Sequence, residues 1–575
     1  MAFRRDRYLT DEETEEIINS DAFCNAVSDD QDHIDITVCP PEVDCTTDEE
    51  EGPDDVTGTV EVSDVPGAIE LHFVASENNE ETVCKTSLPS TSQVSRSKAK
   101  KRRLTDEKSN WKKIPPVYTM LSQTIEHDIN TKRKELKEQL SSLTLKEIFE
   151  ELMNENIYEF IMKETVRYAV NVKNMQDFIF TVEEVKVFVR FLLFAGYHKL
   201  PAEKLHWSED EDVGIPIIKT AMSRNKYQKL KKWIHFQDND LANENKHNCG
   251  FKIRPLLKMI NESFQKFGIF EENLSIDKLI VKYYGRSGLK QFIRGKPIRF
   301  GYKLWSLCGA NGYCFKFDLY CGKDPEDTAR DDLLLGSRVV LSMLNCIEKP
   351  ENHCVYFDNF FTSRDLLIHL RNLGFRATGT VRGNQVGDCP LLSSNELKKT
   401  VRGNYDYQRM RNGEVLFVRW HDNRCVTIGT KFDKVEPLGA AMWYSRQASK
   451  KTQVQQPAVL KSYNAYMGGV DHHDWLVGKY ATVIRGIKWY RVLFTRVLEM
   501  ALVNAWLFYR LVHGKNALDL LDFRLAVTVT YPKLGTGGPI IGRPMEYPSS
   551  QLRVIPDIRF DGIGHMIDKR STQRR

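Results

Sequence analysis

The chain has 575 residues, 41% hydrophobic and 28% charged, and its net charge of +4 conceals an acidic first part and a basic remainder. That length holds several domains, or one interrupted by others, and the composition excludes a wholly disordered chain. No run reaches the roughly 18 uninterrupted apolar residues of a membrane helix; the most apolar stretch, "VFVRFLLFAGY", is broken by Arg190.

Residues 1–94 carry 25 Asp/Glu against 4 Lys/Arg and little apolar periodicity, so 1–115 is expected to be a disordered acidic N-terminus. Its opening, "MAFRRDRYLTDEETEE", lacks the apolar core of a signal peptide. Lys98, Lys100, Lys101, Arg102 and Arg103 then cluster as a nuclear import signal would, which places the chain in the nucleus. Residues 95–575 hold 78 Lys/Arg against 53 Asp/Glu, a balance that suits a polyanion such as double-stranded DNA. The twelve cysteines are scattered from Cys24 to Cys425 without CxxC pairs, as in a reduced intracellular protein. None follows Cys425, so no structural zinc is expected near the C-terminus.

Folding signals begin near residue 116. Thr181 and Glu184 have capping-box spacing ahead of Val185, Phe188, Val189, Leu192 and Leu193, which recur at helical spacing. "RNKYQKLKKWIHFQDND" and "RPLLKMINESFQKFG" read as two more amphipathic helices, so 116–272 is α-rich. The period then changes. "LSIDKLIVKYYG" reads as a strand carrying Asp277, and "FGYKLWSLCGANGYCFKFDLYCG" as a hairpin turning at Asn311-Gly312. "SRVVLSMLNCI" reads as a helix and "CVYFDNFFTS" as a strand ending on Asp358. "RDLLIHLRNL" follows as a helix stopped by Gly374, and "FRATGTVRG" as a strand. The order β-β-β-α-β-α-β is that of a ribonuclease H-like α/β sheet with helices on both faces. Three short Arg/Lys-rich strands follow, then Gly468-Gly469 before a helix bearing Asp471 and Asp474, and a long helix from about Tyr490 to Leu511.

A strand that ends on a carboxylate poses a problem, since converging carboxylates repel unless cations neutralise them. Magnesium prefers oxygen ligands, and two ions roughly 3.5–4 Å apart serve phosphodiester chemistry. The bland alternative is that Asp358 caps the helix starting near Thr362.

The words "SID" with "YYGR", "GKPIRFGYKLW", "YFDNFFTS", "GTVRGN" and "YNAYMGGVDHHD…KWY" run in an order that resembles piggyBac-type transposases and their domesticated derivatives, from about residue 116 onward. The resemblance implies a ribonuclease H-like (retroviral integrase-type) catalytic core at 273–382 and 441–479, with a β-rich insertion at 383–440. An α-rich dimerisation and DNA-binding domain would span 116–272 and 480–545, and 546–575 would be a basic tail. It implies the triad Asp277, Asp358 and Asp471 as catalytic and metal-binding residues, Asp474 as a supporting acid, two Mg2+ ions, a homodimer, and cut-and-paste transposition at TTAA. Charge adds Arg409, Arg411 and Arg419 in the insertion, with Arg485, Lys488, Arg491 and Arg496 near the late helix, as DNA contacts. Two departures stand out. Lys278 follows Asp277 where many relatives have Glu, and "RFDGIGH" runs into "DKRSTQRR" without the usual cysteine-rich zinc module. The intact acids favour a transposase core, a metal-dependent nicking and strand-transfer enzyme if active. The departures favour a domesticated, catalytically silent chromatin protein.

Overall fold

The computed structural model describes 111–115 and 124–529, apart from 246–247, 286, 294–297, 299, 323–332, 411–414, 446–449 and 483–487, together with two strands at 35–39 and 68–72. The basic cluster at 98–103, Arg411, Arg485 and the basic tail lie outside the described residues.

The first half is helical for local reasons. Thr181 accepts from the Glu184 amide (3.3 Å) while Glu184 accepts from the Thr181 amide (3.0 Å), so the expected capping box starts the helix Val182–Tyr197. Thr144 and Glu147 do the same for Leu145–Leu152. Val185, Phe188, Val189, Leu192 and Leu193 are all buried. Arg190, which interrupts that apolar run, is buried too and pairs with Glu150 at 2.8 Å. Arg224–Trp233 and Arg254–Phe267 follow as helices.

The core sheet is built on β4 (Asn273–Lys282). β6 (Phe300–Gly309) lies antiparallel on one side of it and β7 (Cys314–Leu319) antiparallel beyond that. On the other side β8 (Cys354–Phe357) runs parallel to β4, and β9 (Arg376–Thr380) parallel to β8. The helices Leu335–Leu344 and Arg364–Asn372 connect β7 to β8 and β8 to β9. Gly312 at φ +90° makes the β6–β7 turn, and Gly374 at φ +92° ends the second helix. β6 is buried along its whole length, as a strand covered on both faces must be.

The sheet continues past β9 through β12 (Cys425–Thr430), β11 (Leu416–His421), β10 (Tyr405–Met410) and the short β3 (Trp111–Lys112), all antiparallel. The Arg-rich strands therefore extend the core sheet rather than standing apart from it. β13 (Gly439–Ser445) and β14 (Lys450–Gln456) form a separate hairpin. At the opposite edge, β1 (Asp35–Cys39) pairs with β2 (Ala68–His72) and with β5 (Gln291–Ile293). These two segments depart from the disorder expected of the acidic stretch. Each holds a short apolar alternation, Ile36/Val38 and Ile69/Leu71, that the acidic background hides.

The helix Arg491–His513 binds the two halves together. It is the one helix among the described residues long and apolar enough to cross a membrane, and 89% of its most apolar stretch is buried inside the protein. Asn504 on this helix accepts from the Cys314 amide (3.0 Å) and donates to the Cys314 carbonyl (2.9 Å), which docks the helix on β7.

Candidate carboxylate site

Register places the first two acids. β4 and β8 pair Ile276 with Phe357, so Asp277 and Asp358 stand one residue further along two adjacent parallel strands, at one level. β8 and β9 pair Phe357 with Gly379, which puts Thr380 at the same level. On the other side Asp277 faces Ser306 of β6. Laterally paired residues point to the same face. One face thus carries the row Ser306, Asp277, Asp358, Thr380.

Asp358 is not the helix cap. Ser363 caps Arg364–Asn372, accepting from the Leu366 amide at 3.1 Å. Asp358 instead organises the turn before it: Oδ1 accepts from the Phe360 amide (2.9 Å) and its carbonyl accepts from the Thr362 hydroxyl (2.8 Å).

Asp471 arrives from above the sheet, in the first turn of the helix Gly469–Gly478. A Cβ at Gly469 would meet the Gly309 carbonyl at 2.4 Å and Ser275 Oγ at 2.6 Å, so only glycine lets this helix start against β4 and β6. The charges of Asp358 and Asp471 both act on Asp277. The Asp277 carboxyl is pushed up to about 7, first by burial and then by Asp358, with Asp471 adding; the Lys278 amide and ammonium pull the other way. The Lys278 amide donates to Asp277 Oδ1 at 2.8 Å. The Lys278 side chain belongs to the other face, with its partner Trp305, and its ammonium lies 5.6 Å from the centre of the Phe360 ring.

Asp474 forms an ion pair with Arg496. His473 between the two acids is buried and its Nδ1 lies 2.8 Å from the Gly312 carbonyl. Its basicity is pushed down to about 4, by burial first and by Arg496 next. It anchors the helix to the β6–β7 turn as a neutral ring. Trp475, four residues after Asp471 and 58% exposed, has the Lys479 ammonium 3.8 Å over its ring.

Hard oxygen donors on one face match the chemistry of a divalent cation such as Mg2+. Ser306 Oγ, buried beside Asp277 with no hydrogen-bond partner, is an oxygen that an ion's bound water would satisfy. Among the described residues, however, no three His, Cys, Asp or Glu side chains are gathered as a ready-made metal site. The acids interact by charge without forming a closed ligand cage.

Most of the basic residues expected at a DNA surface are spent inside the fold. Arg419 is buried; its Nε donates to Thr427 Oγ1 (2.9 Å) and an Nη donates to the Leu392 carbonyl (2.6 Å). The Lys488 ammonium is buried 3.9 Å over the Tyr168 ring and donates to the Ile234 carbonyl (3.0 Å). Arg491 is buried against Phe188 and reaches the Lys231 carbonyl (3.5 Å). Arg496 holds Asp474. The reason is common to the last three: the segment entering the long helix is interior, so its cations meet carbonyls, rings and an acid instead of solvent. Arg409, on β10, is partly exposed.

The family model described as Transposase IS4 matches residues 144–506. The chain is 37% identical over 433 residues to human PiggyBac transposable element-derived protein 3, covering 75% of this chain and 71% of that protein. It is 33% identical over 431 residues to human PiggyBac transposable element-derived protein 2, covering 74% and 71%. In fold it is similar to a solved piggyBac transposase synaptic complex with hairpin DNA, with a TM-score of 0.58 at 16% identity, covering 70% of this chain and 84% of that one.

Proposed function

Because the chain belongs to the piggyBac transposable element-derived, transposase-like proteins, we propose that it is a nuclear double-stranded-DNA-binding protein with a ribonuclease H-like, DDD-type cut-and-paste core acting at TTAA. The observation that carries this reading is the lateral alignment of Asp277 and Asp358, with the charge of Asp471 acting on the same carboxyl. The strand order β7-β6-β4-β8-β9, in which β6 alone runs against the other four, supports the ribonuclease H-like assignment. DNA binding is supported by the likeness to a synaptic transposase complex with DNA and by the basic balance of residues 95–575, and a homodimer is part of the same proposal.

In this reading Asp277, Asp358 and Asp471 would hold the Mg2+ ions, which would supply activation of the attacking oxygen and stabilisation of the leaving one. The chain's own part is alignment. The parallel register fixes Asp277 beside Asp358, the Phe360 and Thr362 contacts fix the Asp358 turn, and the Gly469 contact sets the height of Asp471. His473 holds that helix in place without bearing charge.

A second reading, a silent DNA-binding chromatin protein, is favoured by two observations: the carboxylates are not gathered as a metal site, and the Asp277 carboxyl retains its proton up to about pH 7. A nicking assay separates the two. The full chain is given Mg2+ and a duplex bearing candidate terminal repeats beside TTAA. The core reading expects a nick at the repeat end that Asp358→Asn abolishes while DNA binding is kept. Equal binding with no nick from either protein sinks the enzymatic reading and leaves the silent one.

A further inference from the structure

The row Ser306, Asp277, Asp358, Thr380 has an occupant above its last member. Tyr463, on the helix Ala458–Tyr466 just before the Gly468-Gly469 step, brings its hydroxyl to 3.4 Å from Thr380 Oγ1. Thr380 closes β9 at the level of the two strand acids, so this contact puts the phenol at that level and on that face. We infer that Tyr463 is a DNA-phosphate contact of the carboxylate site, aimed by Thr380, an inference that rests on the function proposed above.

The chemistry of the groups around it gives the role. Three carboxylates repel a phosphodiester, so a backbone phosphate at this face needs a donor that keeps its proton. The Tyr463 phenol does so: burial raises its pKa first, the Thr380 hydrogen bond works against this, and Asp358, Asp277 and Asp471 raise it further, so the phenol serves as a neutral donor. At 3.4 Å either hydroxyl of the Thr380–Tyr463 pair can be the donor. With a phosphate in place, Thr380 donates to the phenol oxygen and the phenol donates to a non-bridging phosphate oxygen. No bond is made or broken.

The neighbouring tyrosine is the internal comparison. Tyr466, three residues on, packs its ring on Tyr356 with centroids 5.4 Å apart, as an ordinary aromatic contact.

The test measures DNA affinity and needs no cutting. Full-length wild type, Tyr463→Phe and Tyr466→Phe are titrated against a labelled TTAA-containing duplex, in Ca2+ and in EDTA, with melting temperatures recorded. Ca2+ is a hard cation that takes oxygen ligands as Mg2+ does. The expected result is tighter wild-type binding in Ca2+ than in EDTA. Tyr463→Phe loses about tenfold of affinity in Ca2+ and none in EDTA, and Tyr466→Phe matches wild type in both. If Tyr463→Phe keeps the full Ca2+ gain, the inference fails while the proposed function stands. If it loses affinity equally in both conditions with a lowered melting temperature, Tyr463 is structural and the inference fails. If wild type gains nothing from Ca2+, no phosphate is held at the acids, and both the inference and the function it rests on fall.

Discussion

Asp277 and Asp358 stand side by side on parallel strands because Ile276 pairs with Phe357, and the second acid is the largest charge acting on the first. The Asp277 carboxyl is raised from 3.8 to about 7. The folded protein therefore binds a proton that the unfolded chain has released between these two values, and stability falls as pH rises through that window. Asp277→Asn removes the penalty. In the absence of divalent ions the variant should be more stable than wild type by on the order of 4 kcal/mol at pH 8, and nearly equal to it near pH 4. Urea unfolding at the two pH values measures this, and a pH-independent difference would refute the electrostatic account.

The same repulsion predicts how an ion acts. A cation that neutralises the acids binds the folded state alone, so Mg2+ should raise the melting temperature of wild type at pH 8. At pH 5.5 Asp277 holds its proton, the ion must displace it, and the rise should shrink. Asp358→Asn should show little rise at either pH. A wild-type melting temperature unmoved by millimolar Mg2+ would remove the acids from consideration as an ion site.

What was legible in the sequence was local. The Thr181–Glu184 box, the Asn311-Gly312 turn and the Gly374 stop are read from neighbours within four residues, and the structure carries each of them. Lateral register is not local. Nothing within the strand words says that Ser306 and Thr380 share a level with Asp277, or that Tyr463 reaches Thr380, because those relations arise only when four strands and a helix are assembled. The same blindness misplaced the cations. Lys488 and Arg491 look like a basic approach to a helix, and only packing against Tyr168 and Phe188 reveals them as interior.

Those buried cations give a contrast on the Arg-rich strands. Arg419→Ala strands the Leu392 carbonyl and Thr427 hydroxyl that it now serves, and should cost about 1–3 kcal/mol of stability. It should leave the salt slope of DNA binding unchanged. Arg409→Ala should do the reverse, lowering the slope of log affinity against log salt by about one unit with little loss of stability. Titrations across a salt series, with unfolding curves on the same proteins, decide the matter. A reduced slope for Arg419→Ala would show that its guanidinium leaves its pocket for DNA.

The pair Arg524–Glu499 ties the two late helices to the early helix Val182–Tyr197. Both side chains are buried; one Nη donates to Glu499 Oε2 (2.6 Å), the other to Oε1 (2.7 Å), and Nε donates to the Leu193 carbonyl (3.0 Å). Glu499 also accepts from the Thr482 amide (3.2 Å), whose hydroxyl stands 2.7 Å from both Glu499 Oε1 and the Leu192 carbonyl. The helix Val182–Tyr197, Thr482, the long helix and the closing helix Leu520–Val529 thus meet at one carboxylate. Removing one partner leaves a buried charge uncompensated, so Arg524→Met should cost about 3–5 kcal/mol. Replacing both with apolar groups removes the charge altogether, so Glu499→Leu with Arg524→Met should cost less than Arg524→Met alone. Gly196 lies against the same guanidinium: a Cβ there would meet an Arg524 Nη at 2.4 Å and the Tyr480 carbonyl at 2.2 Å. Gly196→Ala should therefore destabilise the wild type more than the double variant, in which the guanidinium is gone. Denaturant unfolding of the four proteins and the Gly196→Ala combinations gives each term. Additive costs for the two partners would mean that the pair is not coupled, and the joint between the halves would have to be sought elsewhere in the long helix.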